Sequence, residues 1–252
     1  MTTHNELRYE VSESIATITI NRPEARNALN KAVRDGIRDG IRSFTHDDAA
    51  KVLIITAAGE IAFSAGADLK EMNEDAMAIP PDGFIPSLET NKPVIAAVNG
   101  AALAGGFYLI QQADLVIAVD HATFAITEAR HGRGAPWAAP LQLMIPARVA
   151  MELLLTGAPI TAARAQDIGL INYIVAPKDL TRASRELAHQ IAANAPLSVA
   201  ASKAMVKNTL SNAMGQSRMQ ADEIWNPVYV SQDAQEGPLA FAEKRPPRWN
   251  GR

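Results

Sequence analysis

Three apolar runs constrain this chain most: Val52–Thr56, Pro93–Val98 and Leu115–Val119 are apolar at almost every position, not at every second one. A strand with one wet face alternates; a strand without alternation needs cover on both faces, which a parallel sheet flanked by helices supplies. Between the runs the spacing changes. From about Ala28 to Phe44, Leu29, Val33, Ile37, Ile41 and Phe44 recur at intervals of three and four, the period of one helix face, and Gly105–Gln112 also reads as a helix. Strands that alternate with helices predict an α/β fold.

The ends are different. Leu7–Val11 and Ile15–Ile20 alternate around Ser12-Glu13-Ser14 and predict a hairpin, closed by Asn21-Arg22-Pro23. Beyond Pro146 the spacing predicts helices over Ala147–Leu155 and Thr161–Ile168, with Thr161 as N-cap and Gly169 as the stop, then a short strand over Leu170–Val175. Lys178 to about Lys244 reads as mostly helical, punctuated by Pro196, Pro227 and Gly237-Pro238. No linker rich in Gly, Ser or Pro divides the chain and no fixed-period repeat runs through it, so one compact unit is expected, with residues 1–195 as α/β core and 196–252 as a helical region.

Composition removes several functions. The 252 residues are 48% hydrophobic and 20% charged with a net charge of -3, which suits a folded globular chain and lacks the basic excess of a nucleic-acid binder. With no cysteine there is no disulfide, thiolate metal site or cysteine nucleophile. His4, His46, His121, His131 and His189 show no metal-ligand spacing, and no metal is expected. No secretory leader precedes the first strand and no apolar stretch is long enough to cross a bilayer, so a cytoplasmic protein without a membrane partner is expected. Neither a phosphate-binding Gly-x-x-x-x-Gly-Lys loop nor a Gly-x-Ser-x-Gly elbow occurs.

Two small-residue segments remain: Phe63-Ser64-Ala65-Gly66-Ala67-Asp68-Leu69, and Asn99-Gly100-Ala101-Ala102-Leu103-Ala104-Gly105-Gly106. Each follows a strand and opens a helix, where amide N–H groups lack partners and the helix dipole favours negative charge. Two such amides aimed at one oxygen form an oxyanion hole. Gly and Ala clusters also serve wherever backbones must pack closely, and each segment taken singly fits that use as well.

In combination these segments are more specific. Ile20-Asn21-Arg22-Pro23-Glu24-Ala25-Arg26-Asn27-Ala28-Leu29, FSAGADLKEM from Phe63, KPVIAAVNGAALAGG from Lys92, LTGAPITAARAQDIGLIN from Leu155 and the late AFAEKRPP together resemble the crotonase, or enoyl-CoA hydratase/isomerase, superfamily over nearly the whole chain. The resemblance implies a spiral of strand-strand-helix units that carries an acyl-CoA site, with C-terminal helices that build a homotrimer or homohexamer. It implies that the amides of Ala67 and Gly105 hold the thioester carbonyl. Ala25, Arg26, Ala65, Asp68, Leu69, Phe241 and Lys244 would contact coenzyme A, which enters as part of the substrate with no permanently bound cofactor.

The resemblance also marks a departure. Hydratases of this superfamily use two glutamates, and here the first position reads Tyr108 while the second is kept as Glu128. Paired carboxylates divide water activation and proton delivery between them, whereas a single base can carry a proton from one carbon to another. Single-glutamate isomerisation or atypical hydration is therefore expected, with Glu128 as acid/base and Tyr108 as pocket wall or hydrogen-bond donor. Gly134-Ala135-Pro136-Trp137 is closer to the isomerases' Ala-Pro-aromatic segment than to the hydratases' glycine-rich one. A non-catalytic acyl-CoA binder, or a decarboxylase or carbon–carbon hydrolase or lyase of the same superfamily, stays open. Asn73–Glu89, rich in Pro, Asp and Met, is expected to shape the acyl pocket.

Overall fold

In a computed structural model that describes residues 6–68, 71, 84–214 and 217–251, the apolar runs become central strands. The strands are β1 (Leu7–Ser12), β2 (Ile15–Ile20), β3 (Val52–Ala57), β4 (Ala62–Ser64), β5 (Val94–Val98), β6 (Ala101–Leu103), β7 (Leu115–Val119), β8 (Thr123–Ala125), β9 (Ile160–Thr161) and β10 (Tyr173–Val175). β1-β2-β3-β5-β7-β10 form one six-stranded sheet, parallel except for the β1–β2 hairpin. The hairpin turns at Glu13 and Ser14, both at positive φ (54° and 65°), the pair a two-residue turn of this hand requires.

The helices are α1 (Lys31–His46), α2 (Gly105–Gln112), α3 (Leu141–Met144), α4 (Ala147–Thr156), α5 (Ala162–Asp167), α6 (Leu180–Ala192), α7 (Pro196–Met214), α8 (Ser217–Tyr229) and α9 (Asp233–Ala242). α1 packs on the hairpin and α6 across β2, β3, β5 and β7. A Cβ at Gly40 would lie 2.7 Å from Ile18 Cδ1, so the missing side chain lets α1 sit close.

A second sheet, β4-β6-β8-β9, was not legible. Each turn of the chain gives one strand to the large sheet and one to the small: β3 leads to β4, β5 to β6, β7 to β8. This is the spiral that the resemblance implied. Ala101–Leu103, read as loop, is a strand, because three small residues carry no period yet fit between β4 and β8.

Two boundaries also differ. α1 begins at Lys31, with Asn30 Oδ1 capping the Val33 amide at 3.0 Å, because Leu29 is drawn away: its amide donates to Gly66 O at 2.8 Å in a bridge between Leu29 and Ala67. The strand expected from Leu170 begins at Tyr173, since the Leu170 and Ile171 amides close α5 on Ala165 O. Thr161 does cap α5, accepting from Arg164 N at 3.2 Å. α7 docks through Lys203, whose Nζ donates to Asp114 Oδ2 (2.6 Å) and Lys92 O (2.8 Å) just ahead of β7 and β5.

Asn27 joins the sheets. It is buried at positive φ, its Nδ2 donates to Ala58 O (2.9 Å) and Ala62 O (2.7 Å), and its Oδ1 accepts from Arg22 N (2.9 Å). Asn27→Ala should lower unfolding free energy by on the order of 2–4 kcal/mol in urea titration, because it strands the Arg22 amide and Ala58 O, leaves Ala62 O only its longer bond from Asn99 Nδ2 (3.3 Å), and puts alanine at a strained φ; a loss below 1 kcal/mol would contradict this role.

Candidate active site

The two small-residue segments meet. Gly66 sits at φ 94° after β4, and a Cβ there would lie 2.8 Å from Ala104 Cβ and 3.1 Å from Gly105 N. Gly106 approaches β4 so closely that its Cβ would stand 2.4 Å from Ser64 O. These contacts bring the Gly66-Ala67 turn beside the first amides of α2. Among the described residues, neither the Ala67 amide nor the Gly105 amide is given to an acceptor. Leu29 and Ile85 wall the same spot: a Cβ at Gly105 would lie 2.9 Å from Ile85 Cδ1 and 3.3 Å from Leu29 Cδ1.

Strand pairing delivers the carboxylate. β6 and β8 run in register through Leu103 and Ala125, and Ala104 N donates to Ala125 O at 3.0 Å. Glu128 therefore opens a 3-10 turn, Glu128–His131, just past the strand that abuts Gly105. The residue is partly exposed, yet its Oε2 is buried and, among the described residues, has no hydrogen-bond partner. Its own backbone amide and the nearby Trp137 side chain favour the charged form. Burial dominates over both and pushes the carboxyl up to about 7.

Trp137 lies in the turn Pro136–Ala138, its ring 5.2 Å from that of Tyr108 and 6.1 Å from that of Phe107. Gln111 Nε2 holds its carbonyl at 2.9 Å. Tyr108, in α2, is thus in ring contact with Trp137. The sequence reading noted Trp137 only within an isomerase-like segment and gave it no role; its signal was an aromatic where the hydratases have glycine.

The expected coenzyme A residues fall into two groups. Ala65 N donates to Arg26 O at 3.0 Å, which joins the Ala25–Arg26 turn to the oxyanion segment, with the Arg26 side chain exposed. Asp68 belongs to this group, but its Oδ2 pairs with Arg22 Nη1 at 2.9 Å, which makes its carboxylate a brace. Leu69 and residues 73–83 of the expected pocket segment lie outside the described residues. Phe241 stands edge-on to His131 at 5.6 Å, and Lys244 follows α9 at positive φ. His131 is held below the usual imidazole range by burial first and by Arg130 and Arg133 second.

The family model for enoyl-CoA hydratase/isomerase matches residues 10–252. The chain belongs to this family. A carnitinyl-CoA dehydratase of Salmonella arizonae is 40% identical over 97% of this chain and 98% of its own length, and one of Escherichia coli O157:H7 is 39% identical over 95% and 96%. A solved carnitinyl-CoA hydratase from Mycobacterium avium superposes with a TM-score of 0.90 at 38% identity, covering 99% of this chain and all of that one. An enoyl-CoA hydratase from the same organism gives 0.81 at 33% identity, covering 90% and 99%.

The chain is thus an enoyl-CoA hydratase-type enzyme, which leaves the non-catalytic reading behind. Among the described residues no His, Asp and Glu group could hold a metal, and no helix is long and apolar enough to cross a membrane.

Burial of Glu128 has a measurable cost. Its folded proton affinity exceeds the unfolded value of 4.5, so the stabilisation is complete below pH 4.5 and is lost as pH rises toward about 7, where the unfolded chain ionises first. Between those limits the wild type should lose on the order of 2–3 kcal/mol relative to Glu128→Gln in urea titrations at stepped pH. Parallel profiles would contradict the burial.

Proposed function

We propose that this enzyme removes water from, and adds it to, a coenzyme A thioester through an enolate, with Glu128 as sole acid/base. The thioester oxygen lies between the Ala67 and Gly105 amides, which gain most as negative charge develops there. The Glu128 carboxylate takes the α-proton and becomes a neutral acid. It then gives that proton to the departing β-hydroxyl, water leaves, and the carboxylate is restored. Hydration is the reverse. One carboxylate on one face completes the cycle, so the elimination is syn, and no second glutamate is needed at Tyr108. A carboxyl that titrates near neutrality suits both proton transfers.

The observation that carries this reading is the buried Oε2 of Glu128, without a partner among the described residues, just past the strand paired with β6, which leads into Gly105. The relatives named as carnitinyl-CoA dehydratases favour a β-hydroxyacyl substrate over a simple double-bond shift. Isomerisation is the second reading, favoured by Tyr108 at the position of the other carboxylate: the same acid returns its proton to a different carbon. Coenzyme A is held as part of the substrate by Ala25, Arg26, Ala65 and the backbone near Asp68, with Phe241 and Lys244 as further contacts, and no resident cofactor takes part. Exposed Leu197, Met205, Val206, Ile224 and Val230 on and beside α7 and α8 support a homotrimer or homohexamer. The absence of cysteine suits a reducing compartment, the cytoplasm.

Glu128→Gln should slow α-proton exchange with solvent on a bound acyl-CoA by about a thousandfold, followed by NMR in deuterium oxide. Undiminished exchange would remove Glu128 from the mechanism. With labelled water, label at the β-carbon identifies hydration, and an unlabelled shifted alkene identifies isomerisation.

A further inference from the structure

One buried cation beside the site has no task in the reaction just given. Arg34, near the start of α1, is 6% exposed, and a charged side chain is almost never that deeply buried unless it is paired. Its Nη1 donates to Glu71 Oε2 at 2.6 Å and to Leu29 O at 2.7 Å, while its Cζ lies 4.0 Å from the centre of the buried Phe84 ring. The other oxygen of Glu71 accepts from the Lys31 amide at 2.8 Å, and Arg38, one turn further along α1, donates to Phe84 O at 3.3 Å.

Each partner of Arg34 leads to the oxyanion site. Leu29 is bridged to Ala67, and its Cδ1 stands 3.3 Å from where a Gly105 Cβ would be. Glu71 follows Ala67 and Asp68 in the chain. Phe84 precedes Ile85, whose Cδ1 comes within 2.9 Å of the same Gly105 position. A guanidinium can serve all three, because its plane stacks on an aromatic face while its edge donates to a carboxylate and a carbonyl; an ammonium is a point charge and cannot.

We infer that Arg34 is a positioning residue: by joining Leu29, Glu71 and Phe84 through one guanidinium, it fixes the Ala67 side of the oxyanion site against the Leu29 and Ile85 walls at Gly105. It touches no reacting atom. The inference rests on the Ala67 and Gly105 amides being the donors to the thioester carbonyl.

An ion pair kept only for folding would respond differently to substitution. Replacing both partners of a buried pair by neutral groups of similar volume often leaves stability unchanged, whereas a misplacement of about 1 Å at a reacting centre can cost about a hundredfold in rate. Arg34→Met combined with Glu71→Gln removes both charges and keeps an acceptor for the Lys31 amide. Arg34→Lys keeps a charge opposite Glu71 and loses only the stacked fork, which guards against misfolding of the double variant.

Both proteins should lower kcat by about ten- to a hundredfold. Their dissociation constant for free coenzyme A, which has no acyl carbonyl, should change little. With carbon-13 at the thioester carbonyl of a bound acyl-CoA, the infrared band should sit closer to its frequency in water than it does in the wild type, or split into two. Loss of folded protein lowers the band's intensity and does not move it. Wild-type kcat in both variants would overturn the inference, and so would a fall in kcat with an unmoved band, which marks a packing role. If the wild-type band itself stays at its solution frequency, the reading of the two amides fails; if it shifts in the wild type and equally in the variants, only the inference about Arg34 fails.

Discussion

The structure depends on two backbones that approach too closely for side chains. Gly106 stands against Ser64 O where a Cβ would be 2.4 Å away, and Gly66 stands against Ala104 and the Gly105 amide. Because the small sheet is only one or two residues wide at this point, the contact sets the separation of β4 from the start of α2. It thereby sets the Gly66-Ala67 turn beside the Gly105 amide, the arrangement that the proposed oxyanion site needs. Leu29, bridged to Ala67, ties the Asn27 anchor and the N-terminus of α1 to the same place. The packing that builds the fold is also what the proposed oxyanion site depends on.

Glu128 is set by a balance of opposing effects. Withdrawal from water disfavours its charge, while its own amide and the Trp137 indole favour it, and burial prevails. The result is a carboxyl that can exist in either form near neutrality, which a single-base elimination requires. Two glutamates can divide acid and base between them; one must be both in turn.

Much of the frame was legible. Unbroken apolar runs over Val52–Thr56, Pro93–Val98 and Leu115–Val119 announce doubly covered parallel strands, and they pair side by side with fully buried Val94–Val98 in the middle. The small sheet was not, because triplets such as Ala101–Leu103 are too short for any period and owe their extension to neighbours distant in sequence. Helix starts shifted where tertiary contacts took the residues, as with Leu29. Glu128 and the two amides came from resemblance and not from local pattern, and the charge of Asp68 proved to be paired with Arg22 across the fold. Trp137 was the hardest to see: its ring meets Phe107 and Tyr108 across a turn whose path no periodicity encodes.

The central claim is that two main-chain N–H groups polarise the substrate's carbonyl. Isotope-edited infrared spectroscopy of an acyl-CoA carrying carbon-13 at the thioester carbonyl reads this bond alone. On binding, the carbonyl band should move to clearly lower frequency than in water, as one population, because both fixed donors weaken the double bond together. A band that stays at its solution frequency would mean that the carbonyl lodges elsewhere, and the mechanism built on Ala67 and Gly105 would fall with it.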